Sequence, residues 1–473
     1  MRRRFLDFVV TAASISLVTT LLSVAPTNSA PTTIARTKIA PTIMASTTSA
    51  RTKIAPTIVA STTTARAKIA PTKTAPIMIA ANNGKKGSAM PLTMKDAVSS
   101  TEEFGLDLYQ KLSDSRVNQN CFISPASIAI CINMALAGAS GATHQAMATG
   151  LRLPDSAADS SSAFGELIKA LESDDPKVEM NIANAIFVNN KTPLNPSYAN
   201  NVGAAFKSEI RNENFADSQG TVSKINGWCS EKTKGHIPSI IRSVSTNDLT
   251  MLLNAIYFKG KWTNSFPKSD TIDGDFAQPG GDALKVKYMS RHGKFDYFEE
   301  ADFQAVQLPY GTERFEAIVF LPSKAIELNE FRKRFTKENW AKWMTEFASH
   351  RDGSVVLPRF HIDYSETLND ALVSLGFGNM FSEGADFSKM HTPPPSMKVS
   401  KVVHKTTLDV DEEGTVATAV TGMMVSKAMF HAPEKSFEMI VNRPFVFAIR
   451  DTKTGTLLFM GSVNKPDNKV DMR

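Results

Sequence analysis

The chain has 473 residues, 42% of them hydrophobic, enough to bury a core that stands without cross-links, which excludes a small disulfide-built scaffold. Its three cysteines, Cys121, Cys131 and Cys229, form no CxxC pair and read as buried free thiols. The net charge of +6 is unevenly spread: no acidic residue lies between Phe8 and Lys95, whereas beyond Lys95 acidic residues outnumber basic ones and are interspersed with them, which argues against a nucleic-acid partner.

Residues 1–30 read as a secretory signal, because RRRF, the apolar FVVTAASISLVTTLLSVA and the polar PTNSA follow one another in that order. The expected location is secreted and extracellular, with no membrane span after signal cleavage. An uncleaved anchor is the alternative, since a proline follows both Ala25 and Ala30. Residues 31–92 hold a fifteen-residue repeat: ARTKIAPTIMASTTS from Ala35, ARTKIAPTIVASTTT from Ala50 and a decaying ARAKIAPTKTA from Ala65. With a proline in each copy and no aromatic residue, the repeat cannot bury enough surface to offset chain entropy, and it reads as a flexible basic tether. A polyanion-binding tail or an O-glycosylated stalk is the other reading.

From residue 93 to 473 the composition is that of a globular body. Phe104, Leu108 and Leu112 at i, i+4, i+8 predict an amphipathic helix. Ser124 is a natural N-cap, Pro125 suits the first helical turn, and Gly138 ends the Ala/Ile-rich run between them, which predicts a deeply buried helix. The run Met251–Phe258, MLLNAIYF, predicts a strand covered on both faces, with Asn254 as its one polar member. Val402, His404, Thr406, Leu408 and Val410 alternate onto one face of another strand, where His404 is the polar exception. Each lone polar side chain needs a partner to avoid a desolvation cost of about 1 to 3 kcal/mol, and a buried Asn254–His404 pair would supply both. FEMIV, FVFAI and LLFMGSV then predict three short strands, the last two joined by DTKTGT. Helices early and strands late make an α+β architecture.

No Walker A loop, GxGxxG, HExxH or GxSxG motif occurs, and the eight histidines are scattered without ligand spacing, so neither an enzyme nor a metal or cofactor site is expected. The unusual segment is EEGTVATAVTGMMVSKAMF from Glu412: after its two glutamates it runs from Gly414 to Val425 without a charge or a proline, a strand lacking protection against edge pairing.

Seven motifs occur in register over about residues 93–468 and together resemble the serpin family: NCFISPASIAICINMALAGASGATHQ from Asn120, INGWCSEKTKGHI from Ile225, LLNAIYFKGKWTNSF from Leu252, LPRFHID from Leu357, LGFGNMFSEGADFSKM from Leu375, VVHKTTLDVDEEGT from Val402 and NRPFVFAI from Asn442. The resemblance implies three β-sheets, about nine helices and an exposed reactive-centre loop. It assigns Ser124, Ser127, Asn254 and His404 to the region over which the large sheet opens, and Glu412, Glu413, Gly414, Thr415, Val416, Ala417, Thr418 and Ala419 to the loop hinge.

The activity implied is irreversible suicide-substrate inhibition of a serine protease, in which the cleaved loop enters the large sheet as a strand and carries the acylated protease with it. Thr415, Ala417, Ala419 and Thr421 fall on one face and are small enough to enter a packed sheet. A non-inhibitory binding or chaperone serpin is the alternative. Counting fourteen positions beyond Gly414 puts the reactive bond at Ala428–Met429, which suits an elastase-like or subtilisin-like target; Lys427–Ala428 is the alternative and suits a trypsin-like one. The segment from Gly414 to Pro444 is about five residues longer than the family spacing. A monomer is expected, and Asn190 in NKT is the clear N-glycosylation sequon of the body.

Overall fold

The computed structural model describes residues 91–154, 159–347, 350–415 and 436–467. The signal segment and almost all of the repeat tether lie outside the described residues. The first helix, α1 (Met94–Ser115), starts at Thr93, whose hydroxyl accepts the Asp96 amide while the Asp96 carboxylate accepts the Thr93 amide. Phe104, Leu108 and Leu112 are buried, as their spacing predicts. After the short strand β1 (Cys121–Ile123), α2 (Pro125–Gly138) begins at Ser124, whose hydroxyl accepts the Ser127 amide at 3.2 Å. Helix α2 is buried almost throughout and presses on α1 at Gly105, where a Cβ would lie 2.4 Å from the Pro125 side chain.

Helices α3 (Gly141–Gly150) and α4 (Ser161–Leu171) precede β2 (Val178–Asn189), α5 (Pro196–Phe206) and β3 (Ser208–Glu213). Helix α6 (Ser218–Lys232) leads to β4 (Thr250–Gly260), which contains the predicted MLLNAIYF strand. A three-stranded sheet runs β3–β2–β4. Both faces of β4 are covered, as expected: Ile256 and Phe258 join the main core, and Leu253 and Ala255 join a second cluster with Trp228 of α6.

Strands then dominate: β5 (Ile272–Phe276), β6 (Leu284–Glu300), β7 (Phe303–Tyr310) and β8 (Phe315–Pro322). Two short helices, α7 (Leu328–Arg332) and α8 (Lys337–Glu346), separate these from β9 (His350–Pro358) and β10 (Phe360–Thr367). Helix α9 (Asn369–Ser374) precedes β11 (Val403–Val410). The three predicted C-terminal strands are β12 (Phe437–Ile440), β13 (Phe445–Asp451) and β14 (Leu457–Val463).

A nine-stranded sheet follows the path β1–β14–β13–β8–β7–β6–β9–β12, with β5 attached to β6. Strand β6 is long enough to serve two halves, pairing near its end with β7 and earlier with β5 and β9. Strands β10 and β11 form an antiparallel sheet of their own. The described residues thus hold three sheets and nine α-helices, the α+β architecture expected. All three cysteines are unbonded, and Cys131 is only half-buried rather than buried.

Candidate functional site

Strand β11 ends at Val410, and the chain reverses at once. The Asp411 amide donates to the Gly414 carbonyl at 2.9 Å, while the Asp411 carboxylate accepts the amides of Glu413 (2.9 Å) and Gly414 (3.2 Å). Gly414 sits at φ +146°, and a Cβ there would lie 2.0 Å from the Gly260 carbonyl oxygen and 2.6 Å from the Lys261 Cα. Only glycine lets the hinge lie this close to the end of β4. Thr415 follows with its amide donating to the Gly260 carbonyl at 2.6 Å and its hydroxyl 3.0 Å from the Tyr310 hydroxyl. It is 1% exposed. Tyr310 stacks on Trp262 at 4.3 Å, and the Trp262 indole donates to the Asp411 carbonyl at 2.9 Å, so the aromatic pair braces both arms of the turn.

The charges at the turn are individually held. Glu412 is buried and accepts from the Arg359 Nε at 2.7 Å and the Thr271 hydroxyl at 2.5 Å. Burial pulls its pKa up, but those hydrogen bonds outweigh it, and the net position is below the usual glutamate range. Glu413 pairs with Lys268 at 2.6 Å. Asp411 goes the other way: burial raises its pKa against the opposing backbone hydrogen bonds.

Beyond this turn runs the lane between β4 and β11, headed by Gly260 and Thr415. Strand β4 is paired to β2 and β11 to β10 in different sheets, and among the described residues neither strand has a partner on its other edge. The Lys261–Gly414 bridge at its head is antiparallel.

Midway along the lane the four residues assigned to sheet opening come together at the first turn of α2. The Ser124 amide donates to His404 Nε2 at 3.1 Å, and the Ser124 hydroxyl donates to the Leu458 carbonyl at 2.6 Å. The Ser127 hydroxyl donates to Asn254 Oδ1. The expected Asn254–His404 contact is not what satisfies them: the start of α2 supplies a partner to each, a backbone amide to one and a hydroxyl to the other. Asn254 also donates to Asn184 Oδ1 at 2.7 Å, and Asn184 to the Phe206 carbonyl at 2.7 Å. Burial drops the His404 pKa to about 3, which keeps the ring neutral and its Nε2 free to accept.

Asn184 was missed in the sequence. Its signal was a lone amide in the apolar run IANAIFV, the same pattern that drew attention to Asn254, its direct register partner across β2 and β4. Of the hinge residues, Glu412, Glu413, Gly414 and Thr415 form the turn just described. Val416, Ala417, Thr418 and Ala419, and both candidate bonds, Ala428–Met429 and Lys427–Ala428, lie outside the described residues.

The model of the family described as "Serpin (serine protease inhibitor)" matches residues 99–466. The chain is a serpin. It is 30% identical to human Serpin I2 over 78% of this chain and 91% of that protein. It is also 30% identical to the bovine leukocyte elastase inhibitor, over 79% of this serpin and all of that protein. In three dimensions it resembles human thyroxine-binding globulin, with a TM-score of 0.71 and 25% identity, covering 79% of this chain and 100% of that one. The family is thus one of protease inhibitors, while the last neighbour is named for a small ligand.

Proposed function

We propose that this serpin is a secreted, single-use inhibitor of a serine protease that traps its target by inserting its cleaved loop between β4 and β11. The observation that carries the reading is Thr415, already buried and bonded to Gly260 at the head of the lane. Continued antiparallel from that bond, the loop would set Ala417 opposite Phe258, Ala419 opposite Ile256 and Thr421 opposite Asn254. Continued from the Asp411–Gly414 turn along β11, it would set the same Thr421 opposite His404. The two registers, taken from different strands, agree.

Physical chemistry supports the insertion. The residues facing the main core would be Thr415, Ala417, Ala419 and Thr421, small beside the Phe258, Ile256 and Leu408 already packed there. A strand reaching Val425 would pair along all of β4. It would make on the order of a dozen backbone hydrogen bonds at about 1 kcal/mol each, comparable with the stability of an ordinary domain. That is enough to distort a protease.

In the reaction, the serine of the protease attacks the Ala428 carbonyl, the Met429 amine leaves as its bond breaks, and an ester joins the inhibitor to the protease. Insertion must outrun hydrolysis of that ester. The chain turns over no substrate of its own. With Ala428 at the bond, the target class is elastase-like or subtilisin-like; with Lys427 it is trypsin-like. Residues 1–30 direct export and residues 31–92 tether the inhibitory body, residues 93–473.

The test is incubation with one protease of each class. The reading expects a complex that survives a denaturing gel and a released C-terminal peptide whose mass begins at Met429. Cleavage without complex would favour the non-inhibitory alternative.

A further inference from the structure

At the end of the lane opposite the hinge, between the first residues of β4 and of β11, lies a cavity of about 1000 Å³. One part of its wall is soft and apolar, where Ile132, Met147, Met380, Phe387 and Met390 are buried and Met397 is partly so; polar and charged side chains line much of the rest. Thioether side chains adapt to flexible alkyl shapes. Three acids and three bases line it. Glu366 pairs with Arg116 and Glu383 with Lys398, while Asp248 accepts the Ser245 amide at 2.8 Å and keeps its charge. Arg242 and Lys401, both exposed, have no acid partner among the described residues.

We propose that this cavity binds a single-chain anionic amphiphile, an alkyl carboxylate of the fatty-acid class, with its chain against the methionines and its headgroup toward Arg242 and Lys401. The volume is at the upper end of the roughly 300–1,000 Å³ usual for small-molecule sites and suits a folded or kinked chain. Arg242 and Lys401 outnumber Asp248, the one lining acid without a basic partner among the described residues, which favours an anionic headgroup over a cationic one. Because the first residues of β4, Thr250–Leu253, and Val403 of β11 also line the cavity, an occupant would obstruct the last residues of an inserting loop. The ligand therefore converts the inhibitor into a substrate. This regulatory consequence rests on the inhibitory reading; the binding does not.

The experiment uses the full chain and sodium dodecanoate below its micellar concentration. Calorimetry is expected to give saturable one-to-one binding with dodecanoate and none with dodecyltrimethylammonium. The double variant Arg242→Glu/Lys401→Glu, which changes two exposed side chains and spares the core, is expected to bind about tenfold more weakly. Ligand is expected to slow peroxide oxidation of Met397 severalfold and to leave Met344, on α8, unchanged. Absence of saturable binding, equal affinity in the double variant, or unprotected Met397 would each overturn the site. With protease present, saturating dodecanoate is expected to raise the number of inhibitor molecules consumed per trapped protease severalfold. An unchanged number alongside intact binding overturns the regulatory claim. If no protease is trapped at all, the inhibitory reading fails, and binding and oxidation still decide the site.

Discussion

Thr415 is the first residue of the face that the proposed insertion would carry into the lane, and it is already enclosed by Gly260 and Tyr310. Thr415→Arg would place an unpaired guanidinium there at a cost of several kcal/mol, slowing entry until ester hydrolysis wins. The expected outcome is cleavage with little stable complex, measured as the ratio of cleaved inhibitor to complex on a denaturing gel; a wild-type ratio would show that this face does not enter. His404 makes a second prediction at this scale. His404→Ala leaves the Ser124 amide without its acceptor, and stability at pH 7.5 should fall by about 1 to 3 kcal/mol. The histidine's folded pKa of about 3 lies below its unfolded value, so the unfolded chain binds the extra proton as pH falls below about 6.5. The wild-type advantage over the variant should therefore shrink by about 1.4 kcal/mol per pH unit once below that point. Glu316, raised by burial to about 7, acts with the opposite sign over part of the same range, so the difference between the two proteins, not either curve alone, carries the test. Denaturant titrations at pH 7.5, 6 and 5 measure it; a constant difference would contradict a neutral buried His404.

At the scale of elements, the strands were legible where side chains alternate or run unbroken. MLLNAIYF became the centre of β4, and the His404–Val410 alternation became the buried face of β11. Helix α2 was readable from Ser124 and Pro125 because capping chemistry is local. Two things were not legible. The partners of Asn254 and His404 depend on how the start of α2 threads between two strands far apart in sequence, and no local pattern encodes that. The separation of β4 from β11 is likewise invisible, since a strand with one free edge has the same composition as one with two neighbours. The free edges make a prediction of their own. Before cleavage, amides on the lane edges of β4 and β11 should exchange with deuterium faster than those bonded to β2 and β10, and after cleavage in the loop they should slow. Exchange unchanged by cleavage would mean that the lane stays empty.

At the scale of the whole molecule, the +6 net charge belongs to the N-terminal region, while the serpin body is mildly acidic. Deleting residues 31–90 removes a repeat with no aromatic residue and should leave the inhibition rate unchanged in about 0.15 M salt, where long-range charge effects are screened. A large fall in rate would assign the repeat a part in docking. The central claim is that the intact molecule holds an empty strand position that its own loop can fill. Thermal unfolding before and after a single nick between Met424 and Met429 tests it most directly. Insertion adds a strand to both sheets at once, so the nicked protein should unfold at a clearly higher temperature than the intact one; an equal or lower midpoint would contradict the account.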